Sequence, residues 1–231
     1  MTASGQVAAP ASPRVGLFGG TFNPIHLGHL RAAEAVAEEF DLERVIFVPS
    51  AEPPHKTRSR GGPIAPAEQR LAWVRAAVAG NPRFAVDALE IERGGPSYSL
   101  DTLRTFQARL APELPVFVIG LDAFAELDSW HEPGALFSLA HFAVITRPPV
   151  TRGRLADWLP KCARDDVVLA SDGLSGRHRS GDSWVRLIEI SALDISASEI
   201  RARLREGRSV RYLLPETVLT AVMESGVYAQ P

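Results

Sequence analysis

Cysteine is nearly missing from this chain of 231 residues: Cys162 stands alone, so no disulfide can close within it and a reducing compartment is expected. Its surroundings, LPKCARDD, offer no activating pocket, which argues against a nucleophilic thiol. Lysine is almost as scarce, present only at positions 56 and 161, so the cations are nearly all arginines. No apolar run approaches the ~18–20 residues of a membrane span, and no membrane partner is expected. The net charge of −2 supplies no global field to gather nucleic acid, so none is expected as a partner; a polyanionic ligand must be held by local groups. The opening MTASGQVAAPASPR has no basic segment followed by an apolar one. Residues 1–13 therefore read as a disordered tail of small side chains, not as a secretory leader. The cytoplasm is the expected location.

What is present is enough apolar material, 45% of residues, for one large core, and a single domain over 14–231 is the expectation. RVGLFGG (14–20) is a short apolar run closed by glycines, as a buried parallel strand would be. HLRAAEAVAEEF (29–40) carries apolar residues at helical spacing, and RVIFVPS (44–50) is again a strand, giving a βαβ unit. The alternation goes on with a helix over 67–80, a strand over 83–91 and a helix over 99–110 with Ser99 as N-cap. Strands follow over 115–120, 141–147 and 184–190. Two helices close the chain: 196–207, opened by a capping box of Ser196 and Glu199, and 215–226, with Pro215 at its first position and Gly226 past its end. The pattern predicts an α/β fold, a doubly wound Rossmann-like parallel sheet with helices on both faces and a helical C-terminal part. Segments 56–66 and 171–182 read as mobile loops.

In such sheets ligands sit beyond the carboxyl ends of the strands, where the strand order reverses. Four segments leave strands at that edge: GGTFNPIHLGH (19–29), PSAEPPHKTRSR (49–60), IGLDAFAELDSW (119–130) and ISASEIR (195–201). In the first, Gly19 and Gly20 permit a tight turn and close approach of an anion, and Asn23 and Pro24 lead into a helix start whose unpaired N–H groups suit phosphate. His26 and His29 share one face of the first turn and can donate to phosphate oxygens. A metal pair, or a plain glycine turn with surface histidines, would show the same spacing. In the last segment Ser196 and Ser198 stand at a helix start with Arg201 one turn on, which is either an anion site or simply a capped amphipathic helix. Lys56 beside His55 suggests a position that prefers a compact ammonium; a solvated loop charge is the alternative. Gly120 and Asp122, directly after a buried strand, suit close nucleotide approach and a carboxylate accepting ribose hydroxyls.

GGTFNPIHLGH resembles the His-x-Gly-His signature of the nucleotidyltransferase superfamily and, more narrowly, that of the bacterial nicotinate mononucleotide adenylyltransferases. ISASEIR is similar to that family's second motif, with Ser198 where Thr is usual, and SYSLDTL (97–103) to its Thr-Tyr-Thr-x-Asp-Thr-Leu, with Ser for both threonines. The resemblance implies adenylyl transfer from ATP to nicotinate mononucleotide with release of pyrophosphate, and Mg²⁺ as a cofactor held mainly by ATP and water. Those two substrates are the implied partners, and a homo-oligomer stays open. His26, His29 and Arg201 would be catalytic. Gly19, Gly20, Thr21, Phe22, Gly120, Asp122, Arg147, Ser196 and Ser198 would bind ATP. Asn23, His55, Lys56, Tyr98, Ser99, Trp130 and His131 would bind the mononucleotide. Its ring would stack on Trp130, and its carboxylate would meet backbone N–H groups at the start of helix 99–110 and at His131. No dedicated protein metal site is implied. The alternatives are an enzyme for nicotinamide mononucleotide or phosphopantetheine, and a non-catalytic nucleotide-sensing module on the same scaffold.

Overall fold

Short apolar strands separated by amphipathic helices can bury themselves only as a sheet covered on both faces, and the computed structural model has this arrangement. It describes residues 14–53, 63–146, 153–179, 182–190 and 193–229; the expected tail over 1–13 lies outside them. In chain order the elements are β1 (Val15–Gly20), α1 (Leu27–Glu39), β2 (Arg44–Pro49), α2 (Ala67–Val78), β3 (Phe84–Val86), α3 (Leu89–Arg93), α4 (Ser99–Leu110), β4 (Val116–Gly120) and α5 (Leu121–Ala125). After two 3-10 turns at Leu127–Ser129 and Pro133–Ser138 come β5 (His141–Thr146), α6 (Leu155–Trp158), α7 (Lys161–Arg164), β6 (Val167–Leu169), β7 (Ser175–His178), β8 (Trp184–Glu189), α8 (Ala197–Arg205) and α9 (Glu216–Ser225).

The strands form one sheet in the order β3-β2-β1-β4-β5-β8-β7-β6. The six from β3 to β8 run parallel, and β7 and β6 add an antiparallel ribbon at one edge. Alternate side chains enter two separate cores. Phe18, Phe47, Val118 and Ile145 pack with α1, α2 and α9 on one face, while Leu17, Val48, Phe117, Ile119 and Val144 pack with α4 and the 3-10 turns on the other. The strand order reverses between β1 and β4, so their carboxyl ends, Gly20 and Gly120, flank the crevice where such sheets bind ligands.

Several local expectations are corrected. The strand expected over 83–91 stops at Val86, because the Asp87 carboxylate accepts the Leu89 N–H at 2.8 Å and turns the chain into α3. Ser99 is the first residue of α4, not its cap; Tyr98 takes that place, without a side-chain cap. The helix expected from 29 begins at Leu27. Pro215 sits one position before α9, at its N-cap. In α8 the Ser196 hydroxyl does accept the Glu199 N–H, at 3.1 Å, but the Glu199 carboxylate pairs forward with Arg203. Segment 171–182, expected as a loop, contains β7. A side chain at Gly176 would come within 2.5 Å of Val167, so the glycine is what lets β6 approach.

Candidate active site

Where β1 ends the backbone is already committed. Gly19 and Gly20 pair with Val48 and Pro49 as the last residues of the strand, and the turn itself is 21–26. Gly20 serves that turn by what it lacks: a Cβ there would lie 3.0–3.3 Å from the ring of Phe22. Phe22 adopts a left-handed φ of 47°, which is costly for a bulky residue. Its ring is held at 5.2 Å from His29 and 5.8 Å from Phe18 and Phe47, contacts that stabilise the turn. The Asn23–Pro24 peptide that follows is cis.

His26 is the N-cap of α1 and His29 lies on its first turn. The two rings stack at 3.6 Å, and His26 is buried. The backbone N–H of His26 donates to Nδ1 of His29 at 3.2 Å. That bond assigns neutral His29 an unprotonated Nδ1 and makes Nε2–H its donor. Between the histidines, a Cβ on Gly28 would stand 3.0 Å from Nδ1 of His26. The central glycine of the motif is thus room for an imidazole, a role the sequence reading did not assign.

The other segments converge on this turn. Arg201, buried on α8, donates to the Asn23 carbonyl at 2.7 Å and to the Ser198 hydroxyl at 3.1 Å. Ser196 and Ser198 stand exposed at the start of the same helix. Gly120 and Asp122 follow β4 directly, Asp122 in the first turn of α5. Trp130 is half-buried with its edge toward Phe117, and the Tyr98 and His131 rings lie 4.8 Å apart. Together these residues line a cleft of about 680 Å³, and every sequence-nominated site residue that the structure describes contributes to its wall. His55, Lys56 and Arg147 lie outside the described residues.

The amide of Asn23 is occupied: its nitrogen donates to the Pro63 carbonyl at 3.1 Å, and its oxygen accepts from Ala65 N–H at 2.9 Å and from the Tyr228 hydroxyl. Three buried polar groups around the cleft escaped the sequence reading, Arg70, Glu90 and Tyr228, while Ser97 was read only as part of the SYSLDTL motif. Glu90 lines the cleft; burial pushes its carboxyl up, opposed by hydrogen bonds from Thr102, at 2.6 Å, and from Ser97. A usable signal existed for Arg70, a cation on the apolar stripe of α2 between Trp73 and Val74 one turn later and Pro66 one turn earlier.

A turn entered through two glycines at the switch point, a helix start carrying two imidazoles, and a second helix start carrying two hydroxyls and an arginine present the donors that suit a polyphosphate. This is the site of a nucleotide-transferring enzyme. The chain belongs to the cytidylyltransferase-like family, whose pattern matches residues 17–203. It is 43% identical over 215 residues to a protein of Geotalea daltonii named "Probable nicotinate-nucleotide adenylyltransferase", covering 93% of this chain and 98% of that one. A protein of the same name from Methylococcus capsulatus is 39% identical, over 94% of this chain and all of its own length. Among solved structures, nicotinic acid mononucleotide adenylyltransferase of Plasmodium falciparum, in complex with NaAD, superposes with a TM-score of 0.69 at 16% identity, covering 94% of this chain and 97% of that one. Among the described residues no helix is long and apolar enough to cross a membrane.

Proposed function

We propose that this chain transfers the adenylyl group of ATP to nicotinate mononucleotide, giving nicotinate adenine dinucleotide and pyrophosphate, within a single domain over 14–231 and in the cytoplasm. An oxygen of the mononucleotide 5′-phosphate attacks the α-phosphorus of ATP; the new P–O bond forms as the bond to the β-phosphate bridging oxygen breaks, and that oxygen leaves with pyrophosphate. No covalent enzyme intermediate is required, and the work of the protein is alignment and charge neutralisation. His29, through Nε2–H, and His26 brace the α-phosphate. Arg201, with the start of α8, takes the charge that grows on pyrophosphate. Asp122 holds the ribose of ATP, with the Gly19–Phe22 stretch and Gly120 against the nucleotide, and Arg147 joins the same side. His55 and Lys56 attend the mononucleotide phosphate, Trp130 stacks on its ring, and the N–H groups at the start of α4 and at His131 face its carboxylate. Bound to the ATP phosphates, Mg²⁺ would supply further neutralisation of phosphate charge. Among the described residues no group of three or more His, Cys, Asp or Glu side chains is placed so that it could hold a metal ion.

The observation that carries this reading is the convergence of the turn at 21–26, the start of α8 and the start of α4 on one cleft at the switch point. The uncapped start of α4 favours an acid over an amide, since backbone donors and the helix dipole reward negative charge. Pyrophosphate release is measured with ATP and Mg²⁺ and either nicotinate mononucleotide, its amide or phosphopantetheine. A strong preference for the acid is expected. Equal use of acid and amide would remove the account of α4, and turnover of neither would leave only the family standing.

A further inference from the structure

Arg70 is 1% exposed, deeper than any other cation described, and it touches no carboxylate among the described residues. Its guanidinium is spent on three carbonyls from three different loops: Nε donates to Ala65 at 2.9 Å, Nη1 to Thr21 at 2.7 Å and Nη2 to Ala51 at 2.9 Å. Burying a charge for stability alone is a poor device, since an apolar residue of similar volume serves as well or better. A planar fork of fixed donors is, however, the one side chain that can hold three carbonyls at set angles to one another.

Each of the three carbonyls leads to the cleft. Thr21 opens the turn that carries Phe22 and the histidines. Ala65 donates its N–H to Asn23 in that same turn. Ala51 donates its N–H to the Ser97 hydroxyl at 2.9 Å, and Ser97 N–H returns to the Glu52 carbonyl at 2.9 Å. Because Ser97 accepts from Ala51, its own proton goes to Glu90, which also accepts from Thr102 inside α4. A continuous polar chain therefore runs from the turn, through Arg70, Ala51, Ser97 and Glu90, to the first turns of α4.

The geometry points to Arg70 as a positioning residue for the transfer, one that fixes the spacing between the phosphate-binding turn at 21–26 and the start of α4. The inference rests on the proposed reaction, in which the turn holds the α-phosphate of ATP and the start of α4 holds the carboxylate end of the mononucleotide. Loosening the tie misaligns two phosphates that still bind, so kcat falls and affinity is spared.

The test uses the full chain with Arg70→Lys and Arg70→Met, reading kcat and KM by pyrophosphate release, thermal melting, and amide hydrogen exchange resolved by residue. In both variants kcat is expected to fall on the order of 100-fold, as a displacement near 1 Å would cause, with each KM within about threefold of wild type. Exchange should quicken at least about tenfold at Thr21–Asn23, Ala51 and Ser97 and stay unchanged in α9. A wild-type kcat in either variant overturns the assignment, as does a loss of activity that only follows the unfolded fraction. If the wild type itself transfers nothing to the mononucleotide, the reaction is wrong, and the exchange pattern alone judges the tie; unchanged exchange then overturns it. Should neither variant fold, Ser97→Ala cuts the chain at its other end, and a wild-type kcat there refutes the proposal equally.

Discussion

Gly28→Ala is the smallest change that reaches the histidine pair. The added methyl would lie 3.0 Å from Nδ1 and 3.2 Å from Cε1 of His26, with the Leu193 carbonyl at 3.5 Å on its other flank. Ordinary contact needs about 3.5 Å or more, so the ring must retreat by roughly 0.5 Å. It cannot do so alone, because it is 2% exposed and stacked on His29 at 3.6 Å. Two terms of opposite sign act on stability: a gain of up to about 1 kcal/mol from replacing glycine in a helix, and an overpacking cost of about 1–3 kcal/mol. The net is a cost of at most about 3 kcal/mol, a fall in melting temperature of less than about 12 °C for a chain of this size. Catalysis has no such compensation. Since a 1 Å error in alignment costs on the order of 100-fold, half of that displacement at both imidazoles should lower kcat about 10- to 100-fold. Pyrophosphate release at saturating substrates, set beside a thermal melt, separates the two effects. A variant with kcat within twofold of wild type and an unchanged melt would refute the claim that Gly28 exists to seat His26.

Trp130→Ala should raise KM for nicotinate mononucleotide several-fold more than KM for ATP; equal changes would return Trp130, which packs edge-on against Phe117, to a packing role. Burial and the neighbouring Asp128 push the Cys162 thiol up to about 12, so alkylation of the native protein by iodoacetamide at pH 8 should be at least about tenfold slower than in denaturant. Comparable rates in the two states would overturn that reading. His141 is held down to about 4, first by burial and then by Arg177, and its Nδ1 accepts the Trp184 N–H at 3.3 Å, a bond only the neutral ring can make. Below an unfolded value of 6.5 the unfolded chain binds the proton and the folded one does not, so this group's contribution to stability is lost as pH falls from 6.5 toward 4. The shift, 6.5 minus 4 at 1.36 kcal/mol per unit, bounds the loss at about 3 kcal/mol, and about 1–2 kcal/mol is expected given partial solvent screening. Melting at pH 7 and pH 4.5 should show a smaller acid-induced drop for His141→Gln than for wild type; an equal drop would place the acid sensitivity elsewhere.

Most of the parallel sheet was legible because its strands, buried on both faces, have to be short and apolar throughout, and VGLFGG, RVIFVP and VFVIG are all of that kind. The edge ribbon was not. SGRH carries no apolar pattern at all, and it is a strand only because β8 lies on one side and Gly176 lets β6 come close on the other. β3 was overread for the converse reason: FAVDALEI continues to alternate after Val86, but one side-chain bond from Asp87 is enough to turn it.

The same division runs through the site. Residues whose polar groups are proposed to meet the substrates stand in local motifs, next to glycines and helix starts, and a sequence shows them. Residues whose polar groups face the protein are set by distant partners. Tyr228 reaches back to Asn23 across 205 positions, and Arg70 gathers carbonyls from 5 to 49 positions away. Glycines divide in the same way. Gly19 reads as backbone room for an anion, and only an ordinary contact with Phe117, at 3.7 Å, limits it. Gly20 and Gly28 are vacant because the rings of Phe22 and His26 fill the space where a Cβ would stand. A motif of the form His-x-Gly-His is therefore two statements at once: in the proposed reaction the histidines address the substrate, and the glycine addresses the first histidine. Only the first can be inferred from the chemistry of phosphate, and the second requires knowing that the two rings stack.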